Sequence, residues 1–164
     1  MLHVLNGDAL AARFGDAGPT GERLVWREAL MSGPPPQSCA EESLSARARW
    51  LATEYERPVE ATLAELQALC EGLDRALAHE DEIALWFEHD LFCQVNQLEA
   101  LCQAAALPRP KRARLTRVFL EAGDGPWTFA AHEGEALAER FEQRADFGED
   151  ASSQCVEWNE RMVN

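Results

Sequence analysis

The apolar positions of this chain change their period several times, and the changes mark out alternating strands and helices. Leu2-His3-Val4-Leu5 is a short β-prone run halted by Asn6-Gly7-Asp8, after which Ala9 to Phe14 permits a helix. Gly15 to Gly21 carries Gly, Asp and Pro and predicts a loop into a second strand, Arg23-Leu24-Val25-Trp26-Arg27. Gly33-Pro34-Pro35-Pro36 breaks the pattern. Ser38 and Glu41 then have capping-box spacing, in which each side chain answers a backbone N–H of the new helix. Leu44, Ala48, Leu51 and Tyr55 follow at helical intervals. After Pro58, the residues Val59, Leu63, Leu66, Cys70, Leu73 and Leu77 alternate steps of four and three, which sets them on one stripe of a core-facing helix.

Ile83-Ala84-Leu85-Trp86-Phe87 is apolar without alternation, the pattern of a strand covered on both faces, and it predicts the centre of a parallel sheet. It runs into Glu88-His89-Asp90. Leu91, Val95, Leu98, Cys102 and Ala105 then form a helical stripe that ends before Pro108 and Pro110, with Asp90 at the N-cap position. Arg114 to Glu121 predicts a fourth strand. Ala122 to Pro126 reads as a turn and Trp127 to Ala131 as a short antiparallel partner, giving an edge hairpin. Leu137 and Phe141 mark a helix from about Glu133 to Arg144, and Cys155, Trp158 and Met162 the apolar face of a last one within Ser152 to Met162.

Strands alternating with helices imply parallel neighbours joined by right-handed crossovers. The expected fold is therefore α/β, a Rossmann-like or flavodoxin-like three-layer sandwich. One α/β domain is expected over residues 1–150, with 151–164 as a helical tail packed on it or on a partner. If the second strand lies on one side of the first and the Ile83 strand on the other, the winding reverses between strands one and three. The crevice there is the default ligand site. Its two borders are Asn6-Gly7-Asp8 and Glu88-His89-Asp90, with Arg27 and Glu28 leaving the adjacent strand at the same edge.

Composition narrows the class. With 164 residues, 46% of them hydrophobic and 27% charged, the chain is long enough to bury a core without a metal or disulfide staple. Twenty-nine acidic against fifteen basic residues give a net charge of -14, which opposes non-specific nucleic-acid binding. The basic run Arg109, Lys111, Arg112, Arg114 and Arg117 reads as a solvated lead-in to a strand. Five cysteines, Cys39, Cys70, Cys93, Cys102 and Cys155, are odd in number and include no C-x-x-C, so reduced thiols in a cytoplasmic protein are expected. Met1 to Asp8 lacks a basic leader, and no segment approaches the roughly 18 apolar residues of a membrane span. Neither export nor a membrane anchor is expected.

Three runs carry a family resemblance: Leu2-His3-Val4-Leu5-Asn6-Gly7-Asp8; Val25-Trp26-Arg27-Glu28-Ala29-Leu30 with Gly33-Pro34; and Leu85-Trp86-Phe87-Glu88-His89-Asp90-Leu91-Phe92 with Gln94. On them the chain resembles an uncharacterised bacterial family known as domain of unknown function 1835. The likeness covers about the first hundred residues and fades from about Pro126. It implies an α/β fold and a bacterial source, and no reaction. Members often carry Ser at the position of Ala9 and Asp at that of Cys93, so this chain lacks two polar groups there.

Candidate chemistry centres on the crevice. Two helix N-termini would offer free N–H groups to an anion, and Arg27 could grip a phosphate in bidentate fashion. Asn6, Gly7, Asp8, Arg27, Glu28 and Gln94 are the candidate ligand-binding residues, and Glu88, His89 and Asp90 the candidate catalytic ones, with His89 as acid or base. Asp8, Glu88 and Asp90 could hold Mg²⁺ beside a phosphate. Structural roles compete at each position: Asp8 and Asp90 as N-caps, Glu88 as a partner of Arg27, His89 as a donor to a carbonyl. No P-loop or G-x-G-x-x-G is present. Gly7-Asp8-Ala9-Leu10 resembles the first block of the Gly-Asp-Ser-Leu esterases, but Ala9 stands at the nucleophile and no D-x-x-H follows. His89-Asp90 resembles the dyad of the HD phosphohydrolases, but it follows a strand and lacks further ligands. The expected function is binding of a small anionic, nucleotide-like or otherwise phosphorylated ligand; the alternative is a non-catalytic protein-binding or regulatory module, with a homodimer among its partners.

Overall fold

A computed structural model describes residues 1–106, 113–120 and 128–147. Five strands form one sheet: β1 (Leu2–Asn6), β2 (Glu22–Trp26), β3 (Glu82–Trp86), β4 (Arg114–Val118) and β5 (Ala145–Asp146). They stand in the order β2-β1-β3-β4-β5. β1 pairs in parallel with both β2 and β3, placing Leu5 beside Val25 on one side and Trp86 on the other, and β3 pairs in parallel with β4. The α-helices are α1 (Gly7–Phe14), α2 (Glu41–Glu54), α3 (Val59–His79), α4 (Leu91–Ala106) and α5 (Gly134–Glu142). This is the expected flavodoxin-like α/β arrangement, with β3 fully buried at its centre. Among the described residues no helix is long and apolar enough to cross a membrane.

Alternation along β1 feeds two cores. Leu2 and Val4 join Trp26, Leu73, Leu77, Ile83 and Leu85 on the face covered by α3 and α4. Leu5 joins Leu10, Phe14, Trp86, Phe129 and Leu137 on the face covered by α1 and α5. Each large side chain so buried contributes roughly 1.5–3 kcal/mol. The stripe expected for α3 serves both this core and a third cluster, where Leu66 and Cys70 meet Leu44, Ala48 and Leu51 of α2. Val59, at its start, is exposed.

Several expectations at the periphery are corrected. Phe129–Ala131 is a short 3-10 helix, not the second strand of a hairpin. The antiparallel partner of β4 is instead β5, with Arg117 beside Ala145 and Thr116 beside Asp146. Burial decides the matter: Phe129 is fully enclosed and lies edge-on to Trp86 at 5.4 Å, a position that an edge strand would not reach. The capping box does not form. Ala40 is the N-cap of α2, Ser38 Oγ accepts the Ala40 N–H, and Ser43 Oγ accepts those of Gln37 and Ser38. These hydroxyls fold the Pro-rich loop locally rather than cap the helix.

The cysteines also depart from expectation. Cys39 and Cys70 form a disulfide, with Cα atoms 5.9 Å apart, tying the loop before α2 to the middle of α3. Odd number and spacing hide such a pair, because the two sulfurs meet only once α2 and α3 pack. Cys93 is a free thiol. The run Arg109 to Arg112, Trp127, Cys155 and the tail 151–164 lie outside the described residues. Of the basic run, Arg114 pairs with Asp146 and Glu82, and Arg117 lies over the Phe119 ring.

His3 occupies the α1 face of β1 with no solvent exposure, ringed by Phe14, Trp86 and Phe141. Trp86 Nε1 donates to His3 Nδ1 at 3.2 Å, so the ring proton sits on Nε2, which donates to the Thr20 carbonyl at 3.1 Å. Burial holds the His3 pKa below its ordinary 6.5, against the pull of the Thr20 bond. The unfolded chain therefore takes up a proton here before the folded one does, and stability falls as pH drops below about 6.5. Urea midpoints measured between about pH 7.5 and pH 5.5 should decline in the wild type more steeply than in His3→Gln. Parallel profiles for the two proteins would contradict this reading of His3.

Candidate functional site

Parallel pairing of β1 with β3 delivers their two exits to one rim, as the sequence predicted. Asn6 ends β1, and its Nδ2 donates to Cys93 Sγ at 2.8 Å in the first turn of α4. Asn6 is also the N-cap residue of α1, but with its amide turned toward Cys93 it makes no side-chain cap bond. Among the described residues the opening N–H groups of α1 are thus left without a side-chain cap. Gly7, at φ +83°, begins that helix, and a Cβ built on it would meet open space. Its backbone conformation suits glycine, and its bare face leaves the helix end accessible.

Asp8 is the second residue of α1 rather than its N-cap, which corrects the expectation. Its carboxylate takes Arg27 Nε on both oxygens at 3.1 Å and Arg27 Nη2 on Oδ1 at 2.8 Å. The Arg27 hydrogen bonds hold the Asp8 carboxyl below its ordinary range. The pair is exposed, so it contributes little to stability. Its consequence is chemical: Arg27 is not an empty fork, and only Nη1 remains outside the pair.

Glu28 is not at the rim, a second correction. It is buried and bonded to Arg47 of α2, whose Nε meets Glu28 Oε1 at 2.6 Å and whose Nη2 meets Oε2 at 3.1 Å. Arg47 also donates to the carbonyls of Ala29, Ser32 and Pro34. Asn96 of α4 completes the knot, donating to the Glu28 carbonyl and accepting the Leu30 N–H. Gly33 lies so close to the Trp50 ring that a Cβ would come within 2.2 Å of it. The run Trp26 to Leu30 with Gly33-Pro34 is thus largely a scaffold, apart from Arg27. Arg47 was legible only as a charge on the apolar stripe of Leu44, Ala48 and Leu51, and Asn96 as an amide beside Val95.

The three polar residues after β3 each hold a different segment. Glu88 Oε1 accepts the Phe129 N–H at 2.7 Å, so it pins the 3-10 turn and does not pair with Arg27. His89 Nε2 lies 2.6 Å from the Leu120 carbonyl; a carbonyl accepts, so Nε2 donates, and Nδ1 lies outside this bond. Asp90 Oδ1 accepts the Cys93 N–H at 3.0 Å, which makes it the N-cap of α4 as expected. Burial works against the Asp90 anion, but hydrogen bonds from Cys93 outweigh it and keep the carboxyl below its usual pKa. Gln94 Nε2 donates to the Glu88 carbonyl at 2.7 Å and closes the exit loop.

Among the described residues, candidate ligand atoms of Glu88, Asp90 and Cys93 lie within 4.8 Å of one another, and Asp8 is not in that group. The oxygen trio of Asp8, Glu88 and Asp90 therefore does not assemble. Burial, with Asp90 next to it, pushes the Cys93 thiol up to about 12, so it stands here as a protonated thiol. Mg²⁺ demands oxygen donors in near-octahedral order, and a neutral thiol in the third place does not fit it. A cavity of about 290 Å³ lies elsewhere, along the outer edge of β2, and touches this rim only through Arg27. Compared with known proteins, the chain matches no family model, and no curated protein or solved structure is significantly similar.

The buried Glu28–Arg47 pair yields a direct test of the scaffold. Arg47→Met should cost about 3–5 kcal/mol in urea unfolding, because Glu28 is left buried without a partner. Adding Glu28→Leu should return most of that loss. A single-variant cost under about 1 kcal/mol would show that the knot does not hold the loop.

Proposed function

We propose that the rim between the ends of β1 and β3 binds a small metabolite carrying one anionic group and several hydroxyls, of the nucleotide or sugar-phosphate kind. The observation that carries this reading is the N-terminus of α1: it lacks a side-chain cap, and Gly7 leaves it open at the point where the winding of the sheet reverses. The anion would sit on the first-turn N–H groups with Arg27 Nη1 beside it. Asp90, whose second oxygen lies outside its cap bond, and His89 Nδ1 would accept hydrogen bonds from hydroxyls.

The mixture of charges limits the ligand. Asp8 is neutralised by Arg27, whereas Glu88 and Asp90 hold backbone N–H groups. A polyanion would be repelled by those carboxylates, and a single phosphate bearing hydroxyl donors matches the rim better. Turnover forms no part of the proposal.

Thermal melting tests it. Adenosine monophosphate, glucose 6-phosphate or inorganic phosphate, each with and without Mg²⁺, should raise the midpoint, by about 2.7 kcal/mol of stabilisation at a hundredfold excess over Kd. Gly7→Ala and Arg27→Gln should each remove the shift while still folding, the former at a cost of about 1 kcal/mol in strain. If no probe moves the midpoint, or if the shift survives both substitutions, the rim is not the binding site.

A further inference from the structure

Among the described residues the outer edge of β2 is not closed by another strand. β2 stands at the end of the sheet order, and Glu22 N–H donates to Met1 O at 3.1 Å on its inner side. Because a strand alternates, the N–H and C=O groups of Arg23 and Val25 point away from β1. The cavity of about 290 Å³ follows this edge, lined by Arg23, Val25 and Arg27 on the strand side and by Arg57, Leu66 and Leu69 on the helical side. It combines main-chain groups that no described strand pairs with, an apolar wall, three guanidinium groups and the carboxylates of Glu28 and Glu65.

Edge strands are usually blunted by a bulge, a proline, a covering segment or charged side chains; among the described residues β2 has no strand on its outer side, no proline over Glu22–Trp26, and Glu22 and Arg23 as its charged positions. The lining of the cavity, three arginines against Glu28 and Glu65, is also less acidic than the chain, which carries -14 overall. Arg57 is paired with Glu65 at 2.6 Å and Arg27 with Asp8. Arg23 is held by the Gly15 carbonyl at 3.0 Å and lies over the Phe14 ring at 5.1 Å, contacts that leave its charge uncancelled.

We propose that this groove docks an acidic, extended peptide segment of another protein, which adds to β2 as an outer strand. The exposed ladder supplies main-chain hydrogen bonds, Leu66 and Leu69 receive alternate apolar side chains, and Arg23 and Arg57 receive the acidic ones. A second copy of the chain fits less well, because a symmetric antiparallel pairing about Val25 would oppose Arg23 and Arg27 as like charges.

The probe is a fluorescein-labelled peptide of alternating Asp and Val, with alternating Lys and Val as its control, read by anisotropy on the full chain. Val25→Pro removes an outward N–H at an edge position that tolerates proline, and Arg57→Gln removes a cation outside the rim. The Asp-Val peptide should bind saturably, weaken about tenfold in each variant and weaken further with salt. Circular dichroism establishes whether Val25→Pro is folded; if it is not, Arg57→Gln with the salt series decides. Absence of saturable binding, equal affinity for the Lys-Val peptide, or affinity unchanged in the folded variants would overturn the proposal. So would self-association of the wild type through this edge, seen by sedimentation, which would assign the groove to a second copy.

Discussion

The parallel hydrogen bonding of β1 on both of its sides is the constraint from which the rest of the molecule follows. A parallel neighbour requires a crossover, so the chain must leave β1 through α1 to reach β2, and leave β2 through the α2–α3 hairpin to reach β3. The two crossovers cover opposite faces, and α1 and α4 therefore begin at adjacent strand ends. Asn6 and Cys93, eighty-seven positions apart, meet there for that reason alone.

Around this junction the polar residues divide by what they hold. Glu28, Arg47 and Asn96 form a buried knot that fixes the loop after β2 against α2 and α4. Glu88, His89 and Gln94 attach the exit of β3 to the 3-10 turn, to the end of β4 and to the backbone of that exit itself. Scaffolding of this density at a strand exit serves to hold neighbouring groups in fixed positions. What it holds here is the open end of α1, the Asp8–Arg27 pair and the free faces of His89 and Asp90.

Much of this was legible in the sequence. The unbroken apolar run Ile83 to Phe87 identified the central strand because burial on both faces removes alternation. The stripe from Val59 to Leu77 identified α3, and two polar strand exits identified the rim. What was hidden depends on tertiary contacts. Phe129 looked like a strand residue, since local pattern does not distinguish pairing at an edge from burial beneath a sheet. Glu28 looked like a rim residue because its partner lies nineteen positions away on another element. Cys39 and Cys70 gave no signal, because their proximity arises only from the packing of α2 on α3. Asp8 was misread as a cap because Asn6, one residue before Gly7, takes the N-cap place without acting as a cap.

The central claim is that the open end of α1 is a ligand site, and backbone amide resonances report on it most directly. In a titration of the ¹⁵N-labelled chain with adenosine monophosphate, the largest shifts are predicted at Gly7, Asp8 and Ala9, with smaller ones at His89 and Asp90. Shifts confined to the β2 edge around Arg23 and Val25, or no saturable shifts at all, would contradict the account.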